Sequence, residues 1–287
     1  NTIQTQVLYN NNPSITTYCE ILTMPRPVRQ FRTQAIILSR REFGESDRLL
    51  TLFTPDYGKI SAIAKGARKP NAKLSGHVEL FARSDVLIHK GRSIDILSQA
   101  ELIDPYLGLR EDLTRGAYAN YVAELLDGFT ADEDVNQRDL FILLHETLHR
   151  IAYDDDPRLA TRFYELCLLD LVGFQPELME CVVDREPLMP KAHFFSNEDG
   201  GIVSQEAAPR ISSPLVSIDF NTLKLLRHMR RNAKKFERVK SLKIDPEVHA
   251  HAERIILGYI AFLLESKLQS VDFIRRLRQF APPPNIE

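Results

Sequence analysis

The chain contains no tryptophan and only three cysteines in 287 residues, and no apolar run reaches the roughly 18 residues that a membrane span needs. Cys19, Cys167 and Cys181 are odd in number and unevenly spaced, which argues against a disulfide framework and favours a reducing compartment. The opening residues also lack the charged and apolar regions of a secretory signal. We therefore expect a cytoplasmic protein.

Catalytic signatures are equally scarce. The sequence has neither of the glycine-rich patterns that form phosphate-binding loops, so it offers no machinery for nucleotide hydrolysis. Cys167 lies inside the apolar stretch 163–171 and is predicted to be a small buried side chain rather than a nucleophile. These absences predict a binding protein and not an enzyme.

Charge is unevenly distributed along the chain, although the net charge is only −2. Residues 24–103 carry 14 basic and 8 acidic side chains, residues 104–180 carry 6 and 17, and residues 181–287 carry 17 and 13. Blocks of opposite sign are typical of separate structural units. We therefore expect a basic, an acidic and a weakly basic unit.

The basic unit reads as a small β-barrel. It follows the polar residues 1–23, which we predict to be a disordered leader. Five β-rich runs separated by turns, within about 70 residues, predict an OB-like barrel over residues 24–103. The runs are Gln34–Leu38, Leu49–Phe53, Lys59–Ala64, His77–His89 and Ser93–Leu102.

The rest of the chain has mainly helical periodicity and predicts an acidic helical domain over residues 104–180, completed by residues 213–280 before a tail at 281–287. Residues 181–212 lose that period, and a Gly200-Gly201 turn predicts a small inserted β-knuckle. The fold class is therefore α+β, a barrel followed by a helical bundle. The predicted helices are centred on Leu113–Phe129, Asn136–Tyr153, Arg158–Val172, Asp219–Arg231, Pro246–Leu268 and Val271–Phe280.

The segment from His145 to His149 has the H-E-x-x-H pattern of zinc hydrolases on a predicted helix. The same segment also reads as an ordinary amphipathic helix, with His149 and Glu146 on its polar side. A catalytic zinc needs a third ligand, and no other signature residue supports one. We predict no metal site here and keep a zinc hydrolase as an alternative.

Lys65, Arg68, Lys69 and Lys73 cluster in one loop, and no acidic residue lies between Lys59 and Glu79. Phosphates would meet little opposing charge there, although a Lys and Arg excess also occurs on ordinary solvated surfaces. The residues predicted to bind nucleic acid are Arg32, Arg40, Arg41, Lys65, Arg68, Lys69, Lys73, Lys90 and Arg92, and a second candidate patch contains Arg230, Arg231, Lys234 and Lys235.

Three aromatic residues in or beside the strands, Phe43, Tyr57 and Phe81, are candidates for stacking on bases. Aromatic side chains in a small barrel more often belong to its core, and we expect core positions for all three. A barrel that recognises a peptide instead of nucleic acid, in a protein-binding adaptor, is a further alternative for the same surface.

The order of these units and four short segments together resemble the bacterial RecO family of DNA repair proteins. The segments are Thr33–Leu38, the turn Gly44–Arg48, the loop Lys65–Lys69 and the helix end Phe163–Phe174. The resemblance covers residues 31–280. It implies an OB domain that binds single- and double-stranded DNA and a helical domain with a zinc-finger-like insertion. It also implies a nucleoid-associated protein that anneals complementary strands, helps load RecA together with RecR, and contacts the acidic C-terminal tail of single-strand-binding protein.

The insertion departs from the zinc-binding members of that family, which carry two Cys-x-x-Cys pairs. Only Cys181 remains here, with Asp184, Ser204 and Ala207 at the other three positions. One thiolate and one carboxylate make a poor tetrahedral zinc site. We expect a degenerate zinc-finger-like knuckle over residues 181–212 that binds no metal and is held by packing.

Overall fold

The computed structural model describes residues 29–70, 72–154 and 156–280. The predicted leader at residues 1–23 and the predicted tail at residues 281–287 lie outside the described residues. The barrel strands are β1 (Gln30–Phe43), β2 (Asp47–Thr54), β3 (Gly58–Ala64), β4 (Arg83–His89) and β5 (Asp95–Asp104). The helices are α1 (Gly108–Glu111), α2 (Leu113–Phe129), α3 (Arg138–Tyr153), α4 (Pro157–Leu171), α5 (Phe220–Arg231), α6 (Phe236–Lys240), α7 (Pro246–Leu264) and α8 (Gln269–Phe280), and β6 (His193–Ser196), β7 (Gly201–Val203) and β8 (Leu215–Ile218) form a second sheet.

The first five strands close a barrel in the order β1-β2-β3-β5-β4, in which β3 and β5 are parallel and the other pairs are antiparallel. Alternate side chains such as Ala35, Ile37 and Leu50 fill the interior. This alternation follows from the two-residue period of a strand. The predicted α+β class, with an OB-like barrel before the helices, is confirmed.

The barrel and the bundle share a core. Ile36, Leu38 and Phe53 point out of the barrel and pack into the hydrophobic cluster of the helices. This explains why residues 35–38 of β1 form a continuous apolar run, since both faces of that strand are buried there.

A buried lysine reinforces this junction. The Lys59 ammonium group, on β3, donates to the carbonyl oxygens of Asp127 and Thr130 at 3.2 and 3.0 Å and to the Asp127 carboxylate at 2.8 Å. Those carbonyls belong to the C-terminal end of α2, where a cation also interacts favourably with the helix dipole. Lys59 therefore fixes the bundle against the barrel.

Aspartate side chains begin four of the helices. Asp112 accepts from two backbone N–H groups of α2, Asp156 does the same for α4, and Asp219 and Asp245 each accept one at the start of α5 and α7. Each carboxylate satisfies donors that the first helical turn leaves free. At the end of α4, Gly173 adopts a φ of +84°, as expected for a glycine cap.

The structure differs from the sequence prediction in its short elements. The long run predicted at residues 77–89 forms strand only from Arg83, because Phe81 has a φ of +64° and donates its N–H to the Ile37 carbonyl in a turn. The helices α1 and α6 and the strand β8 were not predicted. Each is only four or five residues long, too short for a hydrophobic period to register.

Candidate nucleic-acid interface

The candidate binding surface of the barrel is the outward-facing side of strands β1 to β3. Register places Ser39, Thr51 and Ser61 side by side, and Arg41, Leu49 and Ile63 in the next row. Directly paired residues of neighbouring strands share one face, about 5 Å apart. We call this surface the outer barrel face and define it by Ser39, Arg41, Phe43, Leu49, Thr51, Ser61 and Ile63.

A β-bulge decides which arginine belongs to this face. Ile37 pairs with Leu52 and Ser39 with Thr51, so the intervening Leu38 is an extra residue on β1. An inserted residue shifts the alternation of the strand by one. As a result Arg41 lies on the outer barrel face and forms no ion pair with any described residue, whereas Arg40 forms an ion pair with Glu79.

The basic loop after β3 is anchored beside the turn between β1 and β2. The Gly66 N–H donates to the Asp47 carboxylate at 2.7 Å, and the Arg68 N–H donates to the Ser46 carbonyl at 2.9 Å. Gly66 has a φ of +67°, which favours glycine at this turn. The exposed cations Lys65, Lys69 and Lys73 of this loop make no ion pair within the described residues.

The nine cations predicted from the sequence fall into two sets. Four of them form ion pairs with carboxylates of the barrel domain: Arg32 with Asp85 at 2.7 Å, Arg40 with Glu79, Arg68 with Glu42 at 3.1 Å and Lys90 with Asp95 at 2.9 Å. The other five, Arg41, Lys65, Lys69, Lys73 and Arg92, are exposed, and no described carboxylate lies within ion-pairing distance. Only the second set offers its full charge to a ligand.

The aromatic candidates are arranged differently from one another. Phe81 is buried, as expected of a core residue. Tyr57 is partly buried and stacks on Phe31 with ring centroids 3.9 Å apart, and the Lys90 ammonium lies 5.6 Å from the Phe31 ring. Phe43 is 42% exposed, so the core prediction was wrong for that residue, which extends the outer barrel face at the tip of β1.

The second basic patch is distributed around the end of α5. Arg230 donates to Gln175 at 2.6 Å and pairs with Glu177, whereas Lys234 and Lys235 are exposed and unpaired among the described residues. Arg231 lines a groove of about 480 Å³ between α5 and α7. Sequence reasoning missed this α5–α7 groove, which is lined by Phe220, Lys224, Leu225, Arg227, Arg231, Leu242, Lys243, Ile244 and Val248, among others.

Each of the three H-E-x-x-H side chains, His145, Glu146 and His149, contacts a different neighbouring residue. The His145 ring lies 2.6 Å from the Tyr106 hydroxyl, and burial lowers the pKa of His145. Glu146 accepts from Arg150 at 2.6 Å, and the His149 ring packs edge-on against Tyr153. Within the described ranges, no group of three metal-ligating side chains is placed to hold an ion.

The knuckle positions converge but do not fit zinc. The Ser204 N–H donates to the Cys181 sulfur at 3.3 Å, and the Ser204 hydroxyl accepts from the Ala207 N–H at 3.1 Å. The Cys181 thiol also hydrogen-bonds the Asp184 carboxylate and lowers its pKa. Hydrogen bonds and a small apolar cluster of Cys181, Val203 and Ala207 join these positions in the knuckle. One thiolate and one carboxylate are too few ligands for a tetrahedral zinc site.

Comparison with protein families agrees with this architecture. The model described as recombination protein O, N terminal, matches residues 28–106, and the model described as recombination protein O, C terminal, matches residues 110–272. The chain belongs to the RecO family of DNA repair proteins. The resemblance recognised from the barrel, the loops and the helix end is thereby confirmed.

Individual RecO proteins align along most of the chain. A DNA repair protein RecO of Dehalococcoides mccartyi is 36% identical over 244 residues, covering 85% of this chain and 94% of the relative. RecO of Roseiflexus sp. is 36% identical over 253 residues, which cover 88% of this chain and 87% of the relative. RecO of Desulforamulus reducens is 33% identical over 247 residues, which cover 86% of this chain and 94% of the relative. None of the described helices is long and apolar enough to cross a membrane.

Proposed function

We propose that this chain is a non-enzymatic mediator of DNA repair and homologous recombination in the bacterial cytoplasm, associated with the nucleoid. It binds single- and double-stranded DNA, anneals complementary strands and assists the loading of RecA together with RecR. Membership of the RecO family supports the process, and the unpaired cations on and beside the outer barrel face support the DNA contact.

Phosphate binding is the physical basis of the proposed activity. Arg41 on the outer barrel face and Lys65, Lys69 and Lys73 in the adjacent loop carry no ion pair among the described residues, so they gain attraction to DNA without first losing a carboxylate partner. Binding through phosphates carries no direct sequence information, which suits a protein that acts on any damaged site.

Annealing then needs no covalent chemistry. When cations neutralise the phosphates of one strand, a complementary strand approaches against less repulsion, and base pairing supplies the driving force. The acidic residues 104–180 repel DNA, which confines the strand to the basic barrel.

The decisive experiment is an annealing assay with two complementary labelled oligonucleotides. We expect Arg68→Glu/Lys69→Glu to lower both DNA affinity and the annealing rate by at least tenfold, because two cations of the loop become repulsive. Lys234→Glu/Lys235→Glu is the matched control, since it reverses two exposed cations away from the barrel. Annealing that is unchanged in the loop variant would contradict the proposed site, and wild-type protein that binds only peptides would favour the adaptor alternative.

The α5–α7 groove supports a second contact. It combines apolar side chains, among them Phe220, Leu225 and Ile244, with the cations Lys224, Arg231 and Lys243. A peptide with acidic and apolar residues matches such a surface in charge and in polarity. We therefore propose this groove as the site for the acidic C-terminal tail of single-strand-binding protein. Loss of binding to that tail peptide in Arg231→Glu, with DNA affinity retained, tests the assignment.

We further propose that the chain acts without a resident metal. The single thiol of the knuckle is already hydrogen-bonded, and Ala207 brings a methyl group where a ligand would be needed. A stoichiometric zinc signal from purified protein would contradict this.

A further inference from the structure

A cleft of about 600 Å³ opens where the outer barrel face meets the bundle. Four elements form it: the neighbouring strands β1 and β2 of the barrel, the helix α2, and the first turns of α8, which is distant from the others in sequence. The lining residues are Leu38, Ser39, Arg41, Thr51, Asn120, Ala123, Glu124, Asp127, Gln269, Ser270 and Phe273. We call it the junction cleft.

The acidic side chains of the junction cleft are already engaged by the protein. The Glu124 carboxylate accepts from the backbone N–H groups of Gln269 and Ser270 at 2.7 and 3.0 Å, which caps the start of α8. The Asp127 carboxylate pairs with the buried Lys59 ammonium at 2.8 Å. Among the described residues that line the cleft, Arg41 is then the charged side chain that has neither an ion pair nor a side-chain hydrogen bond, whereas Glu124 is held by hydrogen bonds alone.

The remaining lining suits a nucleobase. Phe273 is 43% exposed and presents an aromatic ring at the cleft, on which a base can stack. The Asn120 amide and the hydroxyls of Ser39 and Thr51 provide hydrogen-bonding groups for base edges. In a duplex those edges are paired and the bases are stacked on one another, so only an unpaired nucleotide can enter.

We propose that the junction cleft binds one unpaired nucleotide of a DNA strand that lies on the outer barrel face, with Arg41 on its phosphate and Phe273 stacked on its base. This inference rests on the proposed DNA binding and adds to it a means of distinguishing single strands from duplexes. The β-bulge at Leu38 is essential to the arrangement, because it turns Arg41 rather than Arg40 toward the cleft.

The test is to measure the affinity of the full chain for a single-stranded oligonucleotide carrying 2-aminopurine and for a duplex of the same length. Phe273→Ala is expected to lower single-strand affinity about tenfold, within the range for stacking one base on an aromatic ring. Duplex affinity is expected to change less than about twofold, and the fluorescence quenching of the analogue is expected to disappear. Phe273→Tyr, which keeps a ring, is expected to restore all three values.

Phe262→Ala is the matched control, since Phe262 is 48% exposed on α7 and does not line the junction cleft. Equal thermal unfolding midpoints of the two variants establish that both are folded. The cleft proposal is wrong if Phe273→Ala lowers the affinities for single-stranded and duplex DNA equally. It is also wrong if Phe273→Ala lowers single-strand affinity no more than Phe262→Ala does. In both cases the proposed DNA binding itself still stands. If the wild-type chain binds neither form of DNA, the proposed function fails as well.

Discussion

The division of the nine predicted cations into paired and unpaired sets makes a quantitative prediction about salt. Each phosphate contact to single-stranded DNA contributes about 0.7 to the slope of log affinity against log salt. If the five unpaired cations, Arg41, Lys65, Lys69, Lys73 and Arg92, carry the binding, the slope is about −3.5. Affinity then falls about 100-fold between 50 and 200 mM salt.

The perturbation is Lys65→Gln/Lys69→Gln/Lys73→Gln, which removes three charges from exposed side chains. Two contacts remain, so the slope is expected to fall to about −1.4 and the loss of affinity over the same salt range to about sevenfold. Fluorescence anisotropy of a labelled single-stranded oligonucleotide, titrated at four or more salt concentrations, measures both values.

The matched control replaces three cations of the paired set, Arg32→Gln/Arg40→Gln/Lys90→Gln. Their carboxylate partners already neutralise these charges, at 2.7 Å for Asp85 and 2.9 Å for Asp95. The slope is therefore expected to stay within about half a unit of the wild-type value, while the freed carboxylates weaken binding modestly at every salt concentration. A control that flattens the slope as much as the loop variant would refute the assignment of the interface to unpaired cations.

Two predictions concern the stability of the fold. Lys59→Met leaves two carbonyl oxygens at the end of α2 without a donor and should lower the free energy of unfolding by about 2–3 kcal/mol. Asp127→Asn changes a carboxylate that is 61% exposed and should lower it by less than about 1 kcal/mol. Equal losses of stability in urea titrations of the two variants would contradict this ranking. Burial raises the pKa of Glu165 from 4.5 to about 7 against the opposing effects of Arg162 and Tyr121. The folded state therefore binds this proton more tightly than the unfolded state does, and the stabilisation is full below pH 4.5 and is lost as the pH rises through 7. Glu165→Gln should reduce this loss in urea titrations across that range, and an unchanged pH profile would contradict the assignment.

Much of the architecture was predictable because its signals are local. The periods of strands and helices depend only on residues that are close in sequence. The same holds for the helix boundaries, such as the Asp-Pro pairs at residues 156–157 and 245–246 and the glycine at Gly173. The basic loop with Lys65, Lys69 and Lys73 was equally predictable, because these cations are close in sequence and the loop contains no acidic residue.

The functional surface was only partly predictable, since ion pairs join residues that are distant along the chain. Arg32 and Asp85 are 53 residues apart, and Arg40 and Glu79 are 39 residues apart. No local pattern separates these cations from their unpaired neighbours. The junction cleft was out of reach for the same reason, because it joins β1 to α8 across more than two hundred residues.

By itself, the sequence determined the order and type of the main elements, the location of the basic loop and the family. Only the tertiary structure decided which cations keep their charge available, because that depends on carboxylates brought together by folding. It also decided, through one inserted residue on β1, that Arg41 and not Arg40 lies at the junction cleft. The physical reason is that periodicity is a property of adjacent residues, whereas charge neutralisation and concavity are properties of surfaces that meet in space.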